Sequence, residues 1–173
     1  MKKFLLALFI VFLANLGCKK LDKSDGGVCA CSPAYEPTLV LVVKNAAGAD
    51  MLNPATPGHF ENNNIQLYSV EGGIQKKLNF YVRTPFSYGN DKFNFYQLHS
   101  SEIIRQFATN NKEVYLKLGN NASMKVSLEL ITDTKFEITK LLIDNKEATA
   151  EQGNVKAYVQ NLFYLNLNDT VAR

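Results

Sequence analysis

The chain has 173 residues, a formal net charge of +3, and nearly equal numbers of basic (19) and acidic (16) side chains. This balance excludes a strongly basic surface, so we expect no nucleic-acid partner. The chain has two histidines, far apart in the sequence, and its cysteines lack the second ligand pair of a zinc site. No metal or cofactor is expected.

Residues 1–17 have the three parts of an export signal. Lys2 and Lys3 form a basic start, residues 4–13 are apolar, and small or neutral residues lead to Cys18. The apolar run, even at its longest extent of 13 residues, is shorter than the roughly 20 needed to cross a bilayer. The segment is therefore predicted to be a cleaved signal peptide and not a transmembrane helix.

The end of this signal, Leu16-Gly17-Cys18, resembles the lipobox of bacterial lipoproteins, although Asn15 stands where that motif usually has leucine. The resemblance implies that Cys18 carries diacylglycerol and a further acyl chain such as palmitate. Two or three chains on one cysteine give stable anchoring. Cleavage by the ordinary signal peptidase, without lipidation, is the alternative.

The residues after the cysteine bear on location. An aspartate directly after the lipidated cysteine retains lipoproteins at the inner membrane, and here that position is Lys19. The resemblance therefore implies lipid anchoring at the outer membrane. Residues 19–23 are mostly basic, whereas surface-exported lipoproteins often carry acidic clusters there, so we expect the domain to face the periplasm.

Residues 18–34 are interpreted as the lipidated cysteine and a flexible tether, since they are polar and hold Gly26-Gly27. Cys29 and Cys31 could form a disulfide in an oxidising compartment. Two residues of extended chain span up to about 7 Å, so the backbone would have to bend. The two thiols could also stay free, and a redox role is the third interpretation.

Residues 35–173 are predicted to form one β-rich domain, because apolar and polar residues alternate and turn residues recur about every ten positions. The clearest strand is 123–130, with Met124, Val126, Leu128 and Leu130 on one face. It pairs with strand 114–118 through a Gly-Asn-Asn turn, and strand 65–68 pairs with strand 74–82 through Glu-Gly-Gly.

Further strands are predicted at residues 38–43, 93–96, 136–138 and 162–167, with 141–143 continuing one of them past a bulge. The first is apolar throughout, which predicts burial on both faces. At most one short helix is expected, capped by Ser101 and holding Ile103, Ile104 and Phe107 on one face, although a strand there stays open. The preceding His99 is interpreted as a loop or cap residue. About eight strands favour an antiparallel β-sandwich. A lipocalin-like closed barrel is the alternative.

Residues 44–64 hold glycines, prolines and three consecutive asparagines, and are predicted to be a long irregular loop. His59 and Phe60, beside Gly58, form an aromatic pair in a polar setting, which makes them the candidate binding residues. The other interpretation is a simple crossover between two sheets.

No known catalytic motif is present, so we expect a protein that is not an enzyme. Tyrosines fall on the strand faces at positions 68, 81, 96 and 115. They could form a recognition surface, although ordinary packing between neighbouring strands also accounts for them.

The strand 39–43, the turn segment 45–54 and the strand 65–70 after it, together with the lipobox, resemble small Gram-negative envelope lipoproteins with an immunoglobulin-like β-sandwich. That family has no established activity and implies no functional residue. We therefore expect a membrane-anchored binding or accessory domain with an envelope protein or glycan partner. A carrier of a lipid or small apolar ligand and an enzyme with an unrecognised site are the other hypotheses.

Overall fold

The computed structural model describes residues 36–109, 113–131 and 137–167, and these ranges form two packed β-sheets. The strands are β1 (Leu39–Lys44), β2 (Ile65–Glu71), β3 (Ile74–Lys77), β4 (Tyr81–Arg83), β5 (Phe86–Tyr88), β6 (Asp91–Phe93), β7 (Gln97–Ser100), β8 (Val114–Leu118), β9 (Met124–Ile131), β10 (Glu137–Ile143), β11 (Lys146–Glu147), β12 (Thr149–Ala150) and β13 (Leu162–Asn166). Several strands have only two or three residues, which is why more appear than the eight expected.

The five-stranded sheet has the order β12-β13-β1-β7-β4, and the six-stranded sheet has the order β11-β10-β9-β8-β2-β3. A separate hairpin pairs β5 with β6. Each sheet ends in edge strands and does not close on itself, so the predicted β-sandwich is confirmed and the lipocalin-like barrel does not fit. Within the described ranges, β1 and β13 pair in parallel and the other paired strands run antiparallel.

The main core fills the space between the sheets and receives side chains from β1, β2, β7, β8, β9, β10 and β13. β1 lies inside the five-stranded sheet and is buried on both faces, as predicted. Leu41 and Val43 point into the main core, whereas Val40 and Val42 belong to a second apolar cluster on the outer face of the sheet. The β5–β6 hairpin contributes Phe93 to that outer cluster.

Both predicted hairpins are present. β8 pairs with β9 around the Gly119 turn, with Val114 opposite Val126, and β2 pairs with β3. β10 is one strand whose register shifts between Ile138 and Lys140, so residues 141–143 do continue it past a bulge.

The predicted strand 74–82 is divided between the two sheets, which is a correction. β3 pairs with β2 in the six-stranded sheet, and β4 pairs with β7 in the five-stranded sheet. Leu78 lies at the crossing and is fully buried. All four residues of β3 are exposed, and the alternation of exposed residues with more buried ones begins only at Leu78, where the chain crosses to the other sheet.

The short helix is confirmed as α1 (Ser101–Ala108), and Ile103, Ile104 and Phe107 are buried against the main core. The N-cap is Ser100 and not Ser101, and its hydroxyl donates to the Asn79 carbonyl (2.8 Å) without capping the helix. Among the described residues, none of the helices is long and apolar enough to span a bilayer.

Candidate binding groove

The loop between β1 and β2 is shaped by asparagine and aspartate side chains that accept hydrogen bonds from nearby backbone. Asn45 Oδ1 accepts from the N–H groups of Ala47 and Ala49 (3.0 and 2.9 Å). Asn53 Oδ1 accepts from the N–H of Ala55 (2.9 Å). Such turns satisfy backbone donors that no strand partner can reach. The loop therefore has a defined path, and it ends in one turn of 3-10 helix at Asn62–Asn64.

Asp50 ties this loop to another part of the sandwich. It is buried, with 7% of its surface exposed. Its Oδ1 accepts from the Leu52 N–H (2.9 Å), and its Oδ2 accepts from the Tyr96 N–H just ahead of β7 (2.7 Å). Hydrogen bonds to a buried carboxylate are among the stronger ones in proteins. Asp50 therefore holds Leu52 and Tyr96 close together.

These segments enclose a groove of about 290 Å³, which we call the loop groove. This volume is at the lower end for ligand sites and suits a side chain or one small ring. The groove has apolar walls and a polar rim. Its lining residues are Leu52, Pro54, His59, Phe60, Glu61, Asn62, Val82 and Tyr96.

His59, predicted as a binding residue, lines the loop groove and is half-buried. Its Nδ1 lies 3.1 Å from the Thr56 carbonyl oxygen. A carbonyl can only accept, so Nδ1 carries a hydrogen and donates to it. This hydrogen bond fixes the orientation of the imidazole ring in the groove lining.

Phe60, the second predicted residue, lines the groove but also packs against the main core. Its N–H donates to the Met51 carbonyl (2.8 Å). A side chain at Gly119 would place its Cβ 3.2 Å from the Phe60 ring, and Gly119 has a φ of +59° that favours glycine. The loop also carries the chain from one sheet to the other, so the crossover interpretation is correct as well. Ligand binding by His59 and Phe60 stays a prediction.

The lining of the groove contains an acidic side chain, Glu61, but no lysine or arginine. The neighbouring cations lie on the outer face of the five-stranded sheet. There the Lys44 Nζ is 4.0 Å from the centre of the Phe95 ring, and the Arg83 guanidinium carbon is 4.2 Å from that of Phe86. Such cation–π contacts hold these two cations away from the groove.

The four tyrosines noted in the sequence do not form one surface. Tyr68 and Tyr115 face each other on paired strands with their rings stacked 5.4 Å apart, as the packing interpretation expects. Tyr81 lies on the other sheet and stacks on His99 at 4.9 Å. Tyr96 lines the loop groove. Only one of the four therefore belongs to the candidate site.

His99 is a buried strand residue in β7 and not the loop or cap residue expected from the sequence. Its Nε2 donates to Gln97 Oε1 (3.1 Å). Burial, and secondarily the positive charge of Arg83, lowers the pKa of His99 to about 4. His99 is therefore neutral near pH 7 and packs as an aromatic ring against Tyr81.

Sequence reasoning missed several residues of the groove. Val82 was not singled out, and Tyr96 was named only as one of four tyrosines of a possible recognition surface. Both come from distant segments, and no local pattern connects them to the loop. Asp50 had a weak local signal, because aspartate two residues before the N–H it accepts is typical of an Asx turn. Glu61 adjoins the predicted His59 and Phe60 pair but was not singled out.

Cys18, Cys29 and Cys31 lie outside the described residues, so lipidation and the disulfide stay predictions. Within the part of the chain that the structure describes, no three His, Cys, Asp or Glu side chains are grouped to hold a metal ion. Comparisons with protein-family models, curated proteins and solved structures find no match for this chain. The resemblance to immunoglobulin-like envelope lipoproteins therefore stays a prediction.

Proposed function

We propose that this chain is an outer-membrane lipoprotein, anchored through Cys18, whose β-sandwich binds an envelope partner in the loop groove. The observation that carries the proposal is the groove itself, a concave site whose lining combines apolar side chains with polar ones at the rim. Concave apolar sites with a few placed polar groups are the usual form of binding sites.

A carrier of a lipid or small apolar ligand is less well supported. Carriers of this kind enclose their ligand in the interior of a closed barrel. Between the two sheets of the described domain, the space is filled by the packed side chains of the main core. The loop groove opens at the surface and has a polar rim, which favours recognition of an external partner.

Site-directed photocrosslinking in cells tests the binding role. A benzophenone amino acid replaces Asn62, an exposed residue of the groove rim, and a control carries it at Gln75, an exposed residue of β3. Benzophenone reacts with C–H bonds of proteins and glycans, and the mass of the adduct distinguishes them. We expect a discrete adduct from position 62 only. No adduct there, or equal adducts from both positions, would contradict binding in the groove.

The anchor is tested by replacing Cys18 with serine, which removes the thiol that accepts the lipid. We expect the variant to lose the mass of the acyl chains and to leave the membrane fraction, because two or three chains account for stable anchoring. Cys29→Ser is the matched control and should remain membrane-bound. An unchanged mass and membrane fraction for Cys18→Ser would refute lipidation.

A further inference from the structure

The one side chain in the lining of the loop groove that can only accept hydrogen bonds is that of Glu61. It is exposed at the rim and contributes a carboxylate. Asn62 and Tyr96 add an amide and a hydroxyl, each of which can donate or accept. A ligand that brings a positive charge or a hydrogen-bond donor to Glu61 is therefore favoured.

The walls below this rim suit an apolar stem. Leu52 and Val82 contribute aliphatic surface, and Phe60 and Tyr96 contribute aromatic rings. Aromatic rings attract cations through their faces, while aliphatic walls pack against methylene groups. The combination matches a group with a hydrocarbon stem and a positively charged head.

Two cations that adjoin the groove in sequence are engaged elsewhere. Lys44 and Arg83 are held over aromatic rings on the outer face of the five-stranded sheet. The lining itself contains no lysine or arginine that could pair with Glu61. A positively charged ligand would supply that partner.

We propose that the loop groove receives a lysine or arginine side chain of an envelope protein partner. The stem packs on Leu52 and Val82, and the head reaches the rim at Glu61. The inference rests on the proposed binding role and names the chemistry of its partner. This inference favours a protein over a neutral glycan as the partner, because a neutral sugar has no positive charge to pair with the Glu61 carboxylate.

Peptide titration of the full-length lipidated chain in detergent micelles, followed by NMR, tests this inference. The probes are acetylated, amidated pentapeptides of glycine with arginine, lysine, norleucine or glutamate at the centre. We expect the arginine and lysine peptides to shift the backbone resonances of His59, Glu61 and Val82. The norleucine peptide, which keeps the stem without the charge, should bind more weakly, and the glutamate peptide should not bind.

Charge variants at the rim complete the test. Glu61→Gln should weaken arginine-peptide binding roughly threefold, the scale of an exposed ion pair, and Glu61→Lys should abolish it. Glu71→Lys, at the far end of β2 and also exposed, is the matched control and should bind as the parent does. All variants should retain the folded β signal.

The outcomes separate this inference from the proposed function. Equal binding of norleucine and arginine peptides, or full arginine-peptide binding by Glu61→Lys, would overturn the proposal that the groove receives a basic side chain. Either result would still leave the groove as a binding site. Peptides that shift no groove resonance would also overturn it, and the adduct at position 62 would then decide the binding role separately. A glycan crosslinked at position 62 would refute the proposal of a basic side chain but would support the binding role of the groove.

Discussion

The main core and the loop groove belong to one domain but are stabilised in different ways. The core combines many fully buried apolar side chains, such as Leu67, Leu116 and Leu141, on strands joined by regular hydrogen bonds. Each such side chain contributes about 1.5–3 kcal/mol through burial. The groove loop places Met51 and Leu52 in the same core, but the rest of its path depends on a few side-chain acceptors, mainly Asn45, Asp50 and Asn53. Each of these acceptors contributes about 0.5–3 kcal/mol.

This difference separates folding from recognition. Stability is distributed over a large apolar network, whereas the shape of the groove depends on a small number of polar contacts. Single changes in the loop should therefore alter the groove in a domain that still folds, and single charges in the core should not be tolerated. The predictions below test that distinction, beginning with the largest effect.

The largest effect is expected for Leu116→Asp in β8. Leu116 is 2% exposed and lies in the main core, so the variant buries a carboxylate without a partner. We expect a loss of about 4 kcal/mol or more, enough to unfold a domain of ordinary stability. Circular dichroism during denaturant titration measures it. Lys125→Asp, an exposed position on the neighbouring strand β9, should change stability by less than about 1 kcal/mol.

Equal stabilities of Leu116→Asp and Lys125→Asp would contradict the assignment of the inner face of the six-stranded sheet. The same outcome would also contradict the proposed difference in how the core and the groove loop are stabilised, because a charged side chain in the core would then cost no more than one at the surface.

The second effect concerns acid and the buried His99. Its pKa is about 4 in the folded domain, against an ordinary value of 6.5. Above pH 6.5 the ring is neutral in both states, and the stability is fully present. Between pH 6.5 and 4 the unfolded chain takes up a proton that the folded chain does not, so stability falls by up to about 3 kcal/mol. Below pH 4 this contribution no longer changes.

His99→Phe keeps an aromatic ring against Tyr81 but cannot take up a proton. The loss of stability between pH 6.5 and 4 should therefore be smaller in the variant than in the parent, whatever the carboxylates contribute to both. Denaturant titration at four pH values across that window measures the difference. Identical slopes for the two proteins would show that His99 accepts its proton freely in the folded state.

The third effect should alter the groove more than the fold. Asp50→Ala removes the acceptor for the Leu52 and Tyr96 N–H groups, with an expected cost of about 2 kcal/mol. The domain should remain folded, but the crosslink from position 62 should be lost because the groove walls separate. Asn53→Ala, which removes one exposed turn contact, should cost about 0.5–1 kcal/mol. An unchanged crosslink in Asp50→Ala would show that the groove does not depend on this side chain.

Much of the local structure was predictable from the sequence, since neighbouring residues determine it. The alternation in residues 123–130 predicted β9, and the Gly-Asn-Asn turn predicted its pairing with β8. The spacing of Ile103, Ile104 and Phe107 matched one face of α1. In each case a single period or turn type carried the information.

The tertiary structure alone decided which strands share a sheet and where the groove lies. The sequence predicted one strand across residues 74–82, yet the chain changes sheets at Leu78. β1 pairs with β13, although the two strands lie near opposite ends of the domain in sequence. The sequence of neither strand indicates which strand it pairs with. The groove joins the predicted His59 to Val82 and Tyr96. Such contacts form because segments far apart in the chain bury apolar surface against each other. A local sequence pattern shows which face of a segment is buried but does not identify the segment that covers it.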